Sequence, residues 1–234
     1  MTPEAAPEGM SLSETFDRDG FLSLPEFLTN DACDAIVREL DRLTLDGAGT
    51  REVLSHEWCR ELAGDVLRGC EERGVLPAGY AAVQCTYFRK SRERNWFVAW
   101  HQDLAIPVSE RVESAVLTGW SDKEGGLFVQ PPAAVLEELV AMRLHLDECA
   151  ESNGPLRVVP GSHRLGRLTP EEIVRCRDEA GEVVCTLPRG GALAMRPLIL
   201  HASAKATGAG DRRVLHFLFG PPTLPHGLRW RLAV

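Results

Sequence analysis

The 234-residue sequence lacks any run of about 18 consecutive apolar residues, the length that a transmembrane helix requires. Its opening, MTPEAAPEGMSL, is acidic and has no apolar core of the kind found in signal peptides. We therefore expect a cytoplasmic protein without a membrane partner. The sequence also lacks basic excess: 26 Lys and Arg against 34 Asp and Glu give a net charge of −8. That balance argues against a nucleic-acid partner, because a protein that binds nucleic acid needs a basic face.

Paired cysteines are absent as well. The seven cysteines are odd in number, and no two are spaced as Cys-x-x-Cys. This pattern predicts reduced thiols and excludes both a disulfide framework and a thiolate zinc site. Internal repeats and low-complexity tracts are also missing, and 44% hydrophobic with 26% charged residues is the balance of an ordinary globular protein.

The apolar pattern changes character along the chain. We expect a flexible leader over 1–12 and one domain over 13–234, which begins with a helical part over 13–78. From 79 to 234, short strand-like runs are separated by Gly, Pro and Asn, which is typical of a β-sandwich or barrel. Helices are predicted at about 30–43, 55–73, 132–141 and 169–177.

The segment WHQDLAIPV places His101 and Asp103 two residues apart in a strand-like run. Alternate residues of a strand share one face, so both side chains are expected to project together. A second strand-like run, ALAMRPLILH, ends in His201. Two imidazoles and one carboxylate leave three metal positions open, the arrangement that non-haem Fe(II) oxygenases use. The alternative is a simple hydrogen-bonded pair of His101 and Asp103.

Eleven residues after His201, Arg212 begins another strand-like run. Its guanidinium is suited to bidentate binding of a carboxylate. Arg213 is a rival, because strict alternation places it on the apolar face of Leu215 and Phe217. Spacing favours Arg212.

Four segments, in order, resemble the phytanoyl-CoA dioxygenase family of Fe(II)/2-oxoglutarate oxygenases. They are FDRDGFLSLPEFLT, WHQD, LDECAESNGPLRVVPGSHR and HASAKATGAGDRR. The resemblance implies a double-stranded β-helix, a jelly-roll barrel with N-terminal helices packed outside. It also implies that Fe(II), 2-oxoglutarate and O₂ take part in the reaction.

Carried over to this sequence, the resemblance assigns iron binding to His101, Asp103 and His201. It makes Arg212 the salt-bridge partner of the distal carboxylate of 2-oxoglutarate, with Ser203 adding a hydrogen bond. A residue on the strand before WHQD is a further candidate, and Gln84 and Tyr87 are both possible.

Two features depart from the family pattern. A long segment, 105–140, follows the metal motif; we expect it to fold over the site as a lid, with Trp120 contacting substrate. Arg143 and His145 stand where relatives have apolar or aromatic residues. For Arg143 two hypotheses stay open: a salt bridge to Asp147 or Glu148, or binding of an anion such as the co-substrate. Trp96, Phe97 and Trp100 are expected in the core.

The implied reaction is hydroxylation of a small molecule with release of succinate and CO₂. A polar or anionic metabolite is favoured as substrate. Desaturation or another oxidation on the same fold, and a catalytically silent metal-binding sensor, are the alternatives. Halogenation is disfavoured because Asp103 fills the position that chloride needs.

Overall fold

The computed structural model of the protein describes residues 9–43, 49–208 and 210–234. Most of the predicted leader, residues 1–8, lies outside the described part. The Ser11 side chain accepts a hydrogen bond from the Glu14 backbone N–H, and the Glu14 carboxylate accepts one from the Ser11 backbone N–H, so the first helix begins at Leu12. The leader prediction therefore overlaps this helix by one residue.

Helices lie mainly before the first long strand. The α-helices of the described residues are α1 (Leu12–Asp19), α2 (Asn30–Asp41), α3 (Glu57–Glu72), α4 (Ala133–Glu137) and α5 (Pro170–Ala180). Single 3-10 turns cover Val53–Ser55, Glu151–Asn153 and Ser162–Leu165. None of these described helices combines the length and apolarity needed to cross a membrane.

The strands are short and numerous. They are β1 (Phe21–Leu24), β2 (Gly49–Thr50), β3 (Ala81–Lys90), β4 (Val98–His101), β5 (Ile106–Val108), β6 (Thr118–Lys123), β7 (Gly126–Gln130), β8 (Val140–His145), β9 (Leu156–Val158), β10 (Val183–Cys185), β11 (Ala192–Met195), β12 (His201–Ser203) and β13 (Arg212–Gly220).

These strands form three antiparallel sheets. A six-stranded sheet has the order β1-β11-β8-β13-β3-β2, and a four-stranded sheet has the order β10-β9-β12-β4. Neighbouring strands are mostly distant in sequence, as the crossovers of a jelly roll require. The predicted double-stranded β-helix is confirmed.

Strand alternation gives the large sheet two different faces. Met142 and Leu144 on β8, and Leu215 and Phe217 on β13, are fully buried in one cluster with the apolar faces of α1, α2 and α3. The predicted packing of the N-terminal helices on the outside of the barrel is thus observed. The opposite face of β8 and β13 points into the barrel, so polar residues at the alternate positions lie inside.

The segment 105–140 has structure of its own. Strands β5, β7 and β6 form the three-stranded sheet, and α4 follows it. This segment packs against the barrel through Ile106, Val129 and Leu136, which are buried in the interior cluster. It contributes a wall to the barrel mouth.

Candidate functional site

Pairing of β4 with β12 brings two histidines together. His101 and His201 are direct partners in the antiparallel register, although 100 residues separate them in sequence. Their ring centroids are 4.2 Å apart. The approach of the two imidazoles is therefore fixed by backbone hydrogen bonding of the small sheet.

Asp103 completes the group just beyond the end of β4. Its backbone N–H donates to the Pro197 carbonyl at 2.9 Å, which turns the side chain toward the histidines. Its carboxylate oxygens lie 3.7 Å from His101 Nε2 and 3.8 Å from His201 Nε2. These distances are too long for hydrogen bonds, so the hydrogen-bonded-pair alternative is wrong. The three ligand atoms all lie within 4.8 Å of one another, around a common point.

Backbone carbonyls orient both imidazoles. His101 Nδ1 lies 2.8 Å from the Ala99 oxygen, and His201 Nδ1 lies 2.9 Å from the Ile199 oxygen. A carbonyl only accepts hydrogen bonds, so each Nδ1 carries a proton, and in the neutral imidazole Nε2 then keeps a free lone pair. Both free lone pairs face Asp103. This is the support that metal-binding histidines have in proteins.

The protonation states suit a metal ion. Burial lowers the pKa of His201 to about 4, so this imidazole is neutral at pH 7. Burial raises the pKa of Asp103. Electrostatic interactions with the nearby His201 and His216 outweigh this effect of burial, so the pKa of Asp103 lies below its usual value. One carboxylate and two neutral imidazoles are the ligand forms that Fe(II) and similar metals take. The residues therefore fit the implied iron.

The two histidines and the aspartate line a cavity of about 440 Å³. His101, Asp103 and His201 contribute to its wall, as do the predicted residues Gln84 and Ser203. His101 and Asp103 come from the end of β4, His201 and Ser203 from β12, and Gln84 from β3. The barrel, and not one local motif, assembles the site.

Three cations lie on the inward face of the large sheet beside this cavity. Lys90 and Arg212 are direct partners across β3 and β13, and Arg143 lies on β8 opposite His216. Lys90, Arg212 and Arg143 are 1%, 4% and 7% exposed. None of the three forms a salt bridge with any described residue, and Nε of both arginines has no hydrogen-bond partner. Buried charges of this kind need an anionic partner. We call Lys90, Arg143 and Arg212 the cation cluster.

The pKa values of Lys90 and Arg143 are also those of cations without an anionic partner. Burial, with the charge of Arg212 adding to it, lowers the pKa of Lys90 to about 8 and that of Arg143 to about 10. A bound carboxylate would reverse this effect, because an opposite charge favours the protonated form.

Arg213 faces the other side of the sheet. It donates to both oxygens of Asp147, at 2.9 Å from Nε and 2.7 Å from Nη2. Arg213 is thus already paired, and Arg212 is the arginine inside the barrel. The same pairing overturns the hypothesis that Arg143 binds Asp147.

Two predicted positions need correction. Tyr87 is buried among the helix-side residues, because it alternates with Gln84, Thr86 and Phe88 along β3 and points away from the cavity. Trp120 is not among the described residues that line the cavity; the Arg111 guanidinium covers its ring at 5.2 Å.

The sequence reading missed other residues. Trp96, expected in the core, lines the cavity, and the Lys90 ammonium lies 5.2 Å from its ring centroid. Lys90 was not predicted, and His216, which shares a face with Arg212 in a regular strand, was expected only to pack but lines the cavity. The available signal was alternation: Gln84, Thr86, Phe88 and Lys90 share one face of β3.

Comparisons with known proteins give a family and a fold for the chain. A family model described as Phytanoyl-CoA dioxygenase (PhyH) matches residues 16–214. A search of curated proteins found no significant match.

Solved structures show the same fold. The epimerase SnoN, in complex with Fe3+, alpha ketoglutarate and nogalamycin RO, is 16% identical, with 92% of this chain and 90% of that chain covered and a TM-score of 0.67. The carbocyclase SnoK from nogalamycin biosynthesis is 14% identical, with 94% and 90% covered and a TM-score of 0.66. HygX from Streptomyces hygroscopicus, with nickel and 2-oxoglutarate bound, is 19% identical, with 88% and 84% covered and a TM-score of 0.61.

Buried histidines make the metal-free protein sensitive to acid. Burial lowers the pKa of His145 to about 3, of His201 to about 4 and of His216 to about 3. An unfolded histidine titrates near pH 6.5, so the unfolded chain binds more protons than the folded chain between about pH 6.5 and 4. The free energy of unfolding should therefore fall as the pH decreases through this range. Urea unfolding at pH 7.5, 6.5, 5.5 and 4.5 measures it.

The His145→Asn variant is the control. It removes one of the three depressed pKa values, so its unfolding free energy should depend less steeply on pH than that of the wild type. Equal slopes, or a wild-type stability that does not change between pH 7.5 and 4.5, would contradict the assigned protonation states.

Proposed function

The chain belongs to the phytanoyl-CoA dioxygenase family, and we propose that it is an Fe(II)- and 2-oxoglutarate-dependent dioxygenase that hydroxylates a small molecule. In the proposed reaction, substrate C–H, 2-oxoglutarate and O₂ become substrate C–OH, succinate and CO₂. One observation carries the proposal. A two-histidine, one-carboxylate group lines the same cavity as Arg143 and Arg212, the two arginines of the cation cluster, which form no salt bridge with a described residue.

In this proposal His101, Asp103 and His201 hold the iron. Bound iron, together with 2-oxoglutarate and O₂, supplies the oxidation of an unactivated C–H bond. The three protein ligands occupy one side, which leaves positions for the co-substrate and O₂. The Ala99 and Ile199 carbonyls keep the imidazoles in the metal-binding tautomer. Asp103 supplies the one negative charge among the protein ligands.

The distal carboxylate of 2-oxoglutarate is assigned to the cation cluster. Lys90 Nζ donates to Ser203 Oγ at 3.1 Å and to the Ala204 carbonyl at 2.8 Å, and Arg212 donates to the Gly154 carbonyl. These contacts fix the two cations side by side. Ser203 is 2% exposed, and its hydroxyl proton is free to be donated to the same carboxylate.

Arg143 interacts electrostatically with the metal-binding group. Asp103 acts electrostatically on Arg143, and Arg143 in turn acts on Asp103. Its Nη1 donates to His216 Nδ1 at 3.1 Å, while its Nε has no partner. We assign Arg143 to the co-substrate as well, between the distal carboxylate and the metal. Gln84 lines the cavity on the same face of β3 and is the remaining co-substrate candidate.

Apolar side chains close the rest of the cavity. Phe88, Trp96, Leu156 and Leu218 are among its lining residues. Exclusion of water strengthens the electrostatic contacts and protects reactive species from side reactions. The wall from 105–140 completes this shell, with Phe128 from β7.

An anaerobic titration with Fe(II) and 2-oxoglutarate tests the assignment. The wild type should develop the visible absorption of a keto acid chelated to Fe(II), and should release succinate once O₂ and a suitable substrate are added. His201→Asn should weaken Fe(II) binding by ~100-fold or more, since even residues that only support metal ligands contribute ~10–100-fold. His226→Asn, at an exposed histidine outside the cavity, is the matched control.

The outcomes separate the alternatives. Metal binding without 2-oxoglutarate chelation would support the sensor hypothesis and contradict the enzyme. Chelation and succinate release with an unhydroxylated product would support desaturation or another oxidation. Product analysis by mass spectrometry decides between these, since hydroxylation adds one oxygen atom.

The choice between Arg212 and Arg213 has its own test. Arg212→Gln should weaken 2-oxoglutarate binding ~10–100-fold, the effect of removing a hydrogen bond between charged groups. Arg213→Gln should lower the melting temperature by leaving Asp147 unpaired, with 2-oxoglutarate affinity close to that of the wild type. Affinity is measured from the absorption titration. The opposite pattern would make Arg213 the anchor.

A further inference from the structure

One more cation of the cavity has no role in binding the co-substrate. Lys123 is the last residue of β6, and it lines the cavity from the three-stranded sheet of 105–140. Its ammonium lies 4.9 Å from the ring centroid of Phe128, which is itself buried. It makes no hydrogen bond or salt bridge with the described residues. The Lys123 ammonium therefore lies over an aromatic part of the cavity wall.

The neighbouring acidic residue, Glu124, pairs with Arg51 and Thr50 and not with Lys123. The Glu124 carboxylate accepts hydrogen bonds from the Arg51 backbone at 2.8 Å, from Arg51 Nη1 at 2.6 Å and from Thr50 Oγ1 at 2.9 Å. Arg51 also lines the cavity, but this ion pair neutralises it. Glu124 adopts a positive φ of 50° in the tight turn between β6 and β7, which directs its side chain to Arg51 and leaves Lys123 without a counter-ion.

Lys123 is electrostatically separate from the cation cluster. The charges that act on Lys123 are those of Arg51 and Asp103, whereas Lys90 responds to Arg212 and Arg143. Asp103 acts on both Arg143 and Lys123. Asp103 of the metal-binding group is therefore within electrostatic range of both Arg143 and Lys123.

The size of the cavity limits what can fill it. A volume of about 440 Å³ is near the lower end of the ~300–1,000 Å³ that is usual for small-ligand sites. In the proposed function 2-oxoglutarate takes part of this space. The substrate portion inside the cavity must be small, and Lys123 is the cation left to face it.

We propose that Lys123 binds an anionic oxygen group of the substrate, a carboxylate or a phosphate, and so selects small anionic molecules for oxidation. The proposal rests on the proposed function, because it places 2-oxoglutarate in the cation cluster. A charge-assisted contact at Lys123 would hold one end of the substrate while its reacting carbon lies near the metal-binding group. Phe128, Leu136 and Leu139 supply an apolar surface for the carbon chain between the two.

The test compares an anion with its neutral analogue. Hexanoate, hexanamide and hexyl phosphate are titrated by ligand-observed NMR into the full-length protein loaded with Zn(II), a redox-inert substitute, and saturating 2-oxoglutarate. Saturation keeps the test compounds out of the cation cluster. The wild type should bind hexanoate or hexyl phosphate at least ~10-fold more tightly than hexanamide, as one charge-assisted hydrogen bond provides. The tighter of the two anions identifies the carboxylate or the phosphate class.

Variants at Lys123 and Lys205 test whether Lys123 causes the preference for the anion over the amide. Lys123→Gln should bring the ratio of anion to amide affinity close to one, and Lys123→Arg should keep most of the preference. Lys205→Gln removes the same charge from an exposed lysine outside the cavity and should keep the wild-type ratio.

Failure of this inference differs from failure of the proposed function. If the wild type binds 2-oxoglutarate but shows equal or undetectable binding of the anions and the amide, or if Lys123→Gln keeps the preference, Lys123 does not select the substrate. If the wild type does not bind 2-oxoglutarate in the presence of metal, the proposed function itself is wrong.

Discussion

The antiparallel pairing of β4 with β12 is the constraint on which the site depends. It sets His101 opposite His201, and no local sequence motif performs that task. Because a strand shifted by one residue turns every side chain to the other face, a register slip here would separate the two imidazoles. The Asp103 backbone, held by the Pro197 carbonyl, ties the third ligand to the same arrangement. The barrel therefore supplies the geometry of the metal group through ordinary sheet hydrogen bonds.

The distribution of charge explains the rest of the cavity. A protein interior rarely keeps cations without carboxylates, since an unpaired buried charge is unfavourable by several kcal/mol. Arg213 follows that rule with Asp147, and Arg51 follows it with Glu124. Lys90, Arg143 and Arg212 form no such pair with a described residue; the two arginines line the cavity of the metal-binding group, and Lys90 lies beside Arg212. In the proposed function, a dianionic keto acid that bridges the two regions accounts for both facts.

Much of this arrangement follows from the sequence, because period-two alternation governs strands. His101, Asp103 and His201 were predictable from spacing and from the order of strand-like runs. Alternation applied to β3 would also have placed Tyr87 on the helix side and Lys90 beside Arg212. The position of Trp120 outside the cavity lining was not predictable, because the fold of 105–140 is set by long-range packing that no local pattern encodes. For the same reason the helix predicted over 132–141 ends at Glu137, since the residues from Val140 onward join the large sheet as β8.

The decisive measurement is a crystal structure of the protein grown anaerobically with Fe(II) and 2-oxoglutarate. We expect iron bound by Nε2 of His101, Nε2 of His201 and a carboxylate oxygen of Asp103, with the keto acid on the open side. We also expect the distal carboxylate in contact with Arg212 and Lys90. A fourth protein ligand on the metal, or a 2-oxoglutarate carboxylate bound away from the cation cluster, would contradict this expectation.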